Sequence, residues 1–425
     1  MRNNIIDYLI DVGQKYWTNS SNEIRKLGIP NIDKNNGFEI KRIRLPYWAS
    51  GIGIGQDNHI LVYRRFINSE DYRECDWWRN AFFMLNCMQE REFEKRYGPI
   101  HSNYSKIKGF DKELFRYAWV NRIFLFLRRW AAVSQKADET RCFGELPKPI
   151  IHISHDIDYI KHEIRLRIKQ GGFNIYNSLK NGYNLSIMKK GIKVLFLNYN
   201  LKKSIEKSLE IDKSNNIQSV FYVFPGSFKK LKNPIFNPSY SIKNDPYIKR
   251  LIKTILEYGN KLGIHPGYYC YKDAHSLIKY KVLMEDFLGI KLIKIRQHWL
   301  RFSFEKTWLA QEKAGFLEDS TLGFNDIPGF RNSSALRFHP YDFNKNSSLN
   351  IIEIPLILMD GHLYTYQHKD IFNIQKSISE LIDEVKAVHG EASVLWHPHT
   401  LFEPFNTIDG YEFLIKNIAN DKFKT

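Results

Sequence analysis

IIHISHDIDY, residues 150–159, is the stretch from which the fold of this chain is read. It is a short β-branched run that ends in two carboxylates one residue apart. The two-residue strand period turns Asp156 and Asp158 to the same side, so they can share one site. Comparable apolar runs follow: SVFYVFP (219–225), LGIHP (262–266), IKIRQH (293–298), IIEIPLIL (351–358) and SVLWHP (393–398), with helical stretches between them. Alternation of this kind predicts an α/β fold, a parallel sheet or a barrel. His155, Asp156 and Asp158 close the first run, His265 lies in the third, His298 ends the fourth and His397 lies at the end of the last. The C-terminal ends of barrel strands are where such folds build active sites.

The residue types at these ends suit a metal-dependent hydrolase. Such an enzyme needs side chains that hold the ion and a separate, unligated carboxylate that takes a proton from the attacking water. An Asp-x-Asp pair supplies both roles, although strand-end aspartates also cap following helices. His265 and His298 are the leading imidazole ligands, because both follow apolar runs that bring them to the barrel mouth. Arg296 precedes His298 by two residues, hence shares its face, and can pair with Asp156 to keep it ionised. His397, in LWHPH, suits a general acid, and His399 can serve instead.

The motifs ISHDIDY, VFYVF, GIHPGYY, IRQHWLRF with TWLAQEKAGFLEDSTLGFNDIPGFR, and VLWHPH occur in order over roughly residues 149–415. They resemble the ordered motifs of the polysaccharide deacetylase (NodB homology) superfamily, related to carbohydrate esterase family 4. The resemblance implies a distorted (β/α) barrel of NodB-homology type, Zn²⁺ or another divalent transition metal, and removal of an N-acetyl group from a sugar. It makes Asp156 the base, Asp158 and His265 metal ligands, Arg296 the residue that orients the base, and His397 the acid. The family's second motif carries two histidines four residues apart, but Tyr269 stands four residues after His265. The third metal ligand therefore lies between His298, the first choice, and His275, the reserve. Asp319, Arg331 and Tyr268 are expected to bind substrate or shape its site, with a turn-forming Asp and a surface Arg as the plainer readings of the first two.

Residues 1–145 are expected to form a smaller mixed α/β domain, and DWWRNAFFMLNCMQE resembles an accessory N-terminal domain of one bacterial branch of the superfamily. Helices are predicted from Asp76 to about Gly98 and from about Lys112 to Ala132. The turn-rich stretch SQKADETRCFGELPKP (134–149) marks the boundary before a barrel domain over 149–425. The 425 residues carry a net charge of +17, which favours an anionic partner. Four cysteines without paired CxxC spacing suggest neither a zinc ribbon nor a disulfide framework.

A basic insert at about 161–210 concentrates that charge, with ten Lys or Arg and only Glu163 acidic between Lys161 and Lys203. Its interleaved apolar residues predict a helical hairpin able to lie on an anionic membrane, with a solvated insert packed on the barrel as the alternative. No nucleic-acid motif accompanies it. Asp7 and Asp11 interrupt the first apolar run before it reaches signal-peptide length, so a cytoplasmic location, peripheral to the inner face of the membrane, is expected. The substrate expected is an N-acetylated glycan, polymeric or lipid-linked. Two other functions remain open: a glycan-binding scaffold that has lost the metal, and an O-acetyl esterase or other amidohydrolase on the same barrel.

Overall fold

The computed structural model describes the chain except residues 1, 19–20, 36, 181–184, 227–235, 368 and 421–425. Strands β1 (Ile40–Arg44) and β2 (His59–Tyr63) form an antiparallel hairpin near the N-terminus. The chain then enters the main sheet through β3 (Ile150–Ile157), β4 (Val220–Val223), β5 (Lys261–Ile264), β6 (Lys294–Ile295) and β7 (Glu318–Asp319). A second small hairpin, β8 (Tyr341–Asp342) with β9 (Ser347–Ser348), precedes the last three sheet strands. These are β10 (Ile352–Glu353), β11 (Leu356–Met359) and β12 (Glu391–Leu395).

The main sheet has eight strands in the order β10-β7-β6-β5-β4-β3-β12-β11, and every neighbouring pair is parallel. Its two end strands are consecutive in sequence. The chain steps from β10 to β11 through Ile354 and Pro355: Ile354 N–H donates to Asp319 O on β7, and Ser393 N–H on β12 donates to Pro355 O. The sheet therefore curls almost closed, as a distorted (β/α) barrel. Helices cover its outside, including Leu201–Ser214, Pro246–Glu257, Ala274–Leu288 and Ile371–Ala387. Strands β4, β11 and β12 are buried along their whole length, which is why β4 and β11 read as continuous apolar runs.

Local chemistry moves several predicted boundaries. The helix expected from Asp76 to Gly98 is two, Trp77–Leu85 and Met88–Tyr97, because Cys87 between them has a left-handed backbone with φ 51°. The helix expected from Lys112 begins only at Trp119 and runs to Ser134; before it, Asp111 caps a single tight turn over Lys112–Phe115. Arg128, on this helix, is buried and pairs with Glu139. IIEIPLIL is two strands rather than one, broken at Ile354–Pro355, where proline has no N–H for a ladder.

Residues before 149 share one continuous hydrophobic core with the barrel. Buried ion pairs cross between them: Arg122 grips Glu384 at 2.9 and 2.5 Å, and Arg331 grips Glu90 at 3.1 and 2.5 Å. Lys15 reaches Glu391 at the start of β12, which also meets His152 at 2.8 Å and Arg337 at 3.6 Å.

Burial alone would raise the Glu391 carboxyl. The His152 hydrogen bond and the charges of Arg337, His152 and Lys15 outweigh it and hold the pKa down to about 2, from an ordinary 4.5. A folded pKa below the unfolded one contributes stability that is present above pH 4.5 and lost as pH falls through about 2. Glu391→Gln is therefore expected to cost about 2 to 3 kcal/mol at neutral pH. Denaturant unfolding at neutral pH and near pH 2 checks this, because the difference between the two proteins should vanish at the acid end.

Candidate metal centre and active site

Five strand ends bring the site together. Asp156 lies on β3 and points into the barrel, Asp158 follows two residues later on the same side, and His265 follows β5. Arg296 and His298 follow β6. His155, one residue from Asp156, faces the opposite way; its ring bonds Trp396 O at 2.7 Å and Asp212 at 3.0 Å in a buried cluster. The single-residue step thus turns His155 away from the side of the strand that carries Asp156.

His298 owes its position to an unusual turn. After the two-residue strand β6 the backbone passes through Trp299 and Leu300 with φ of 60° and 44°, left-handed values that cost non-glycine residues about 1 kcal/mol or more each. Partners from elsewhere hold it: Ser102 Oγ donates to Leu300 O at 2.5 Å, and Asn325 Nδ2 to Trp299 O at 3.0 Å. Arg301, stacked over Tyr268 at 4.2 Å, also meets His101 at 2.8 Å. The segment before residue 149 therefore buttresses the turn that presents His298.

Asp158, His265 and His298 form the one group of metal-ligating type among the described residues. Asp158 Oδ1 lies 3.3 Å from His265 Nε2 and 3.3 Å from His298 Nδ1, and those two nitrogens are 2.7 Å apart. Asp158 Oδ1 is buried and accepts no hydrogen bond of acceptable geometry. His265 Nδ1 faces Arg296 O at 2.8 Å, so its N–H donates there and the Nε2 lone pair faces the cluster. One proton can link only one pair of three converging acceptors, whereas a cation serves all three. The two oxygen–nitrogen separations of 3.3 Å are also those between ligands about 2.0 Å from a tetrahedral ion, while the two nitrogens, at 2.7 Å, stand at hydrogen-bond distance from each other. The residues present thus fit Zn²⁺ or a similar divalent ion. Burial opposes charge on Asp158, but His298 and His265 hold its carboxyl well below the usual range. Burial likewise lowers His265, and Asp156 and Asp158 raise it on balance.

Asp156 stands beside this group without belonging to it. Its Oδ1 accepts from Arg296 Nη1 at 3.1 Å, and its Oδ2 lies 3.6 Å from His265 Nε2. Arg296 is fully buried, stacked over Tyr222 at 4.4 Å, and spends its other donors on Ser320 O, Ser320 Oγ and Ser393 Oγ. A guanidinium fixed on three sides orients the carboxylate.

Across the cleft, His397 Nε2 is 3.5 Å from Asp158 Oδ2, and its Nδ1–H donates to Asp360 Oδ1 at 2.6 Å. Burial would lower this imidazole, but Asp360, with Asp158 and Asp156 beyond it, raises its pKa to about 10. His399 goes the other way, to about 4, through burial and the charge of His397. Of the two histidines in LWHPH, the first carries the proton at neutral pH.

Asp360 was missed in the sequence, although a signal was there: it directly follows the apolar run LILM, much as Asp158 directly follows β3. Thr400 Oγ1 also donates to it, at 2.9 Å, which fixes its orientation.

The remaining expected residues are not brought to this centre. His275, the reserve ligand, is exposed on the first turn of the helix Ala274–Leu288, and Tyr269 is half exposed. Asp319 is buried beside Glu353, where burial holds both carboxyls above their usual range; it accepts from Thr321 at 2.5 Å rather than facing the cleft. Arg331 is buried against Glu90 and Ser102, not at the surface. Tyr268 stacks on Phe236 with ring centres 4.7 Å apart, near the mouth. The cleft itself, about 370 Å³, is lined by Asp156, Asp158, Asp360, His265 and His397 together with the apolar Leu300, Met359 and Leu395. That is the size of a small-ligand pocket with a few convergent polar groups.

No family model and no curated protein matches the chain. Among solved structures it is similar to a putative polysaccharide deacetylase from Mycobacterium smegmatis, with 14% identity over 64% of this chain and 84% of that one, at a TM-score of 0.39. It is also similar to the Xyl-CE4 domain of a multidomain xylanase from the hindgut metagenome of Trinervitermes trinervoides, with 8% identity over 65% and 86% and a TM-score of 0.32. A third is a CE4 family pseudoenzyme from Bacillus anthracis, with 11% identity over 65% and 63% and a TM-score of 0.32.

Proposed function

We propose that the protein is a metal-dependent hydrolase that removes an N-acetyl group from a sugar of a surface polysaccharide or its lipid-linked precursor, inside the cell. The observation that carries the reading is the placement of Asp156, held by Arg296, and of protonated His397, held by Asp360, on either side of the Asp158, His265 and His298 group. A divalent ion on those three residues would supply a Lewis acid that polarises the acetamide carbonyl and lowers the pKa of water.

The chain's own residues do the proton work. Asp156, anchored through Oδ1, has Oδ2 free to take the proton of the attacking water. His397 carries a proton on Nε2 that Asp360 directs into the cleft through its grip on Nδ1, and that proton goes to the amine nitrogen as the C–N bond breaks. The apolar wall of Leu300, Met359 and Leu395 excludes bulk water and strengthens both interactions. His298 joins Asp158 and His265 in one group although Tyr269 stands four residues after His265, and three convergent ligand atoms favour an active centre over a scaffold that has lost its metal.

The test is elemental analysis of the purified protein, followed by acetate release from N-acetylated and O-acetylated sugars. One zinc per chain, and acetate released with an equal amount of free amine, is the expected result. Chelation should abolish release and added Zn²⁺ restore it. A chain that binds no metal would be a scaffold, and acetate without amine would mark an esterase.

A further inference from the structure

The connection from β3 to β4 carries a helical hairpin, Ile164–Lys180 and Leu185–Phe196, that the proposed chemistry does not use. Its inner face is packed: Leu166, Ile187 and Val194 are buried, and Asn174 and Ile187 reach the wall of the cleft. The two helices approach at Gly171 and Gly191. A Cβ on either glycine would lie 2.8 or 2.9 Å from the other's carbonyl oxygen. Small residues that let backbones meet are the packing device of helices in lipid.

The outer face is the unusual part. Ile164, Ile168, Tyr176 and Leu179 recur on one side of the first helix and are exposed, Tyr176 to 60%. On the second helix, Leu185 is 62% and Phe196 76% exposed, with Ile192 between them on the same side. A soluble surface rarely leaves so many large apolar side chains together. Lys189 and Lys193 are exposed on that same side of the second helix. The hairpin's other lysines and arginines include Arg165, Lys169, Lys180 and Lys190, whose side chains lie outside the described ones.

We propose that this hairpin docks the protein on an anionic lipid bilayer, lying in the headgroup layer with its exposed apolar residues immersed and its lysines against the lipid phosphates. Charge decides among possible occupants. A second copy of a chain with net charge +17 would bring like charge to this face, whereas an anionic bilayer offers opposite charge and an apolar layer together. No described helix is long and apolar enough to cross a membrane, and helices of 17 and 12 residues fall short of the roughly 20 needed to span. Docking brings the bilayer to the element that walls the cleft. The inference does not depend on the hydrolase reading, since binding is measured without turnover.

The experiment is co-sedimentation of the full chain with phosphatidylglycerol–phosphatidylcholine vesicles and with pure phosphatidylcholine vesicles, at low and high salt. The protein should pellet with the anionic vesicles at low salt and be largely released at high salt. Each lysine contributes about fivefold to such partitioning, so Lys189→Gln with Lys193→Gln should weaken it about 25-fold. Ile192→Asp with Phe196→Asp should abolish it, with circular dichroism and zinc content unchanged. Failure of the wild type to bind anionic vesicles at low salt overturns the proposal, as does wild-type binding by both variants. A concentration-dependent dimer that the aspartate variant dissociates, without effect on vesicle binding, would assign the face to a second copy.

Discussion

Asp156→Asn is expected to lower kcat by about a thousandfold while the protein keeps its full metal content, and Asp158→Asn is expected to lose the metal itself. The two carboxylates are one residue apart, yet their surroundings divide them. Asp158 Oδ1 is buried 3.3 Å from both imidazole nitrogens without good hydrogen-bond geometry to either, a place where a cation would bridge all three. Asp156 spends one oxygen on Arg296 and keeps the other beside the centre. Asparagine has the volume of aspartate and can still accept from Arg296 through its amide oxygen, but it cannot take a proton. Arg296 retains Ser320 and Ser393 as partners, so the fold should survive. Elemental analysis and acetate release on both variants check the division. Equal metal loss in the two would refute it.

The barrel was legible because a parallel sheet covered on both faces writes itself as short, wholly apolar runs. SVFYVFP and SVLWHP needed no more than that. What the sequence could not show is where such a run breaks without changing composition. Pro355 splits IIEIPLIL at the point where the barrel's two ends meet, and the left-handed Cys87 splits an aromatic helix that is periodic throughout. Both breaks depend on what the chain packs against. The same holds for the segment before residue 149: its apolar faces were plain in the sequence, but not that they would close one core with the barrel through Arg122–Glu384 and Arg331–Glu90.

Within the site, strand period alone put Asp156 with Asp158 on one side and Arg296 with His298 on another, and the structure brings all four together. Period said nothing about which histidine of LWHPH is charged. That is decided by Asp360, just past the end of β11, which raises His397 to about 10 while burial and the resulting charge press His399 down to about 4. Asp319 and Arg331 show what motif position leaves out. Motif position drew them toward the substrate, but a carboxylate beside Glu353 and a guanidinium gripped by Glu90 are absorbed by partners that no local pattern reveals.

His298→Ala should lower zinc affinity a hundredfold or more, whereas His275→Ala should leave it unchanged. Losing even an outer partner of a zinc ligand typically costs 10- to 100-fold, and His298 supplies one of three converging atoms. A phenol four residues after His265 is a poorer zinc ligand than an imidazole, and Tyr269 is turned half to solvent. The strained turn at Trp299 and Leu300 points the same way, because strain of that kind persists only where surrounding contacts over-determine it. Here Ser102 and Asn325 supply those contacts to the two carbonyls that follow His298. His275, exposed on a helix that covers the outside of the barrel, has no such support. Competition for zinc against a chromogenic chelator measures both variants. Full occupancy in His298→Ala together with loss in His275→Ala would transfer the third ligand to His275 and leave the strained turn without a purpose.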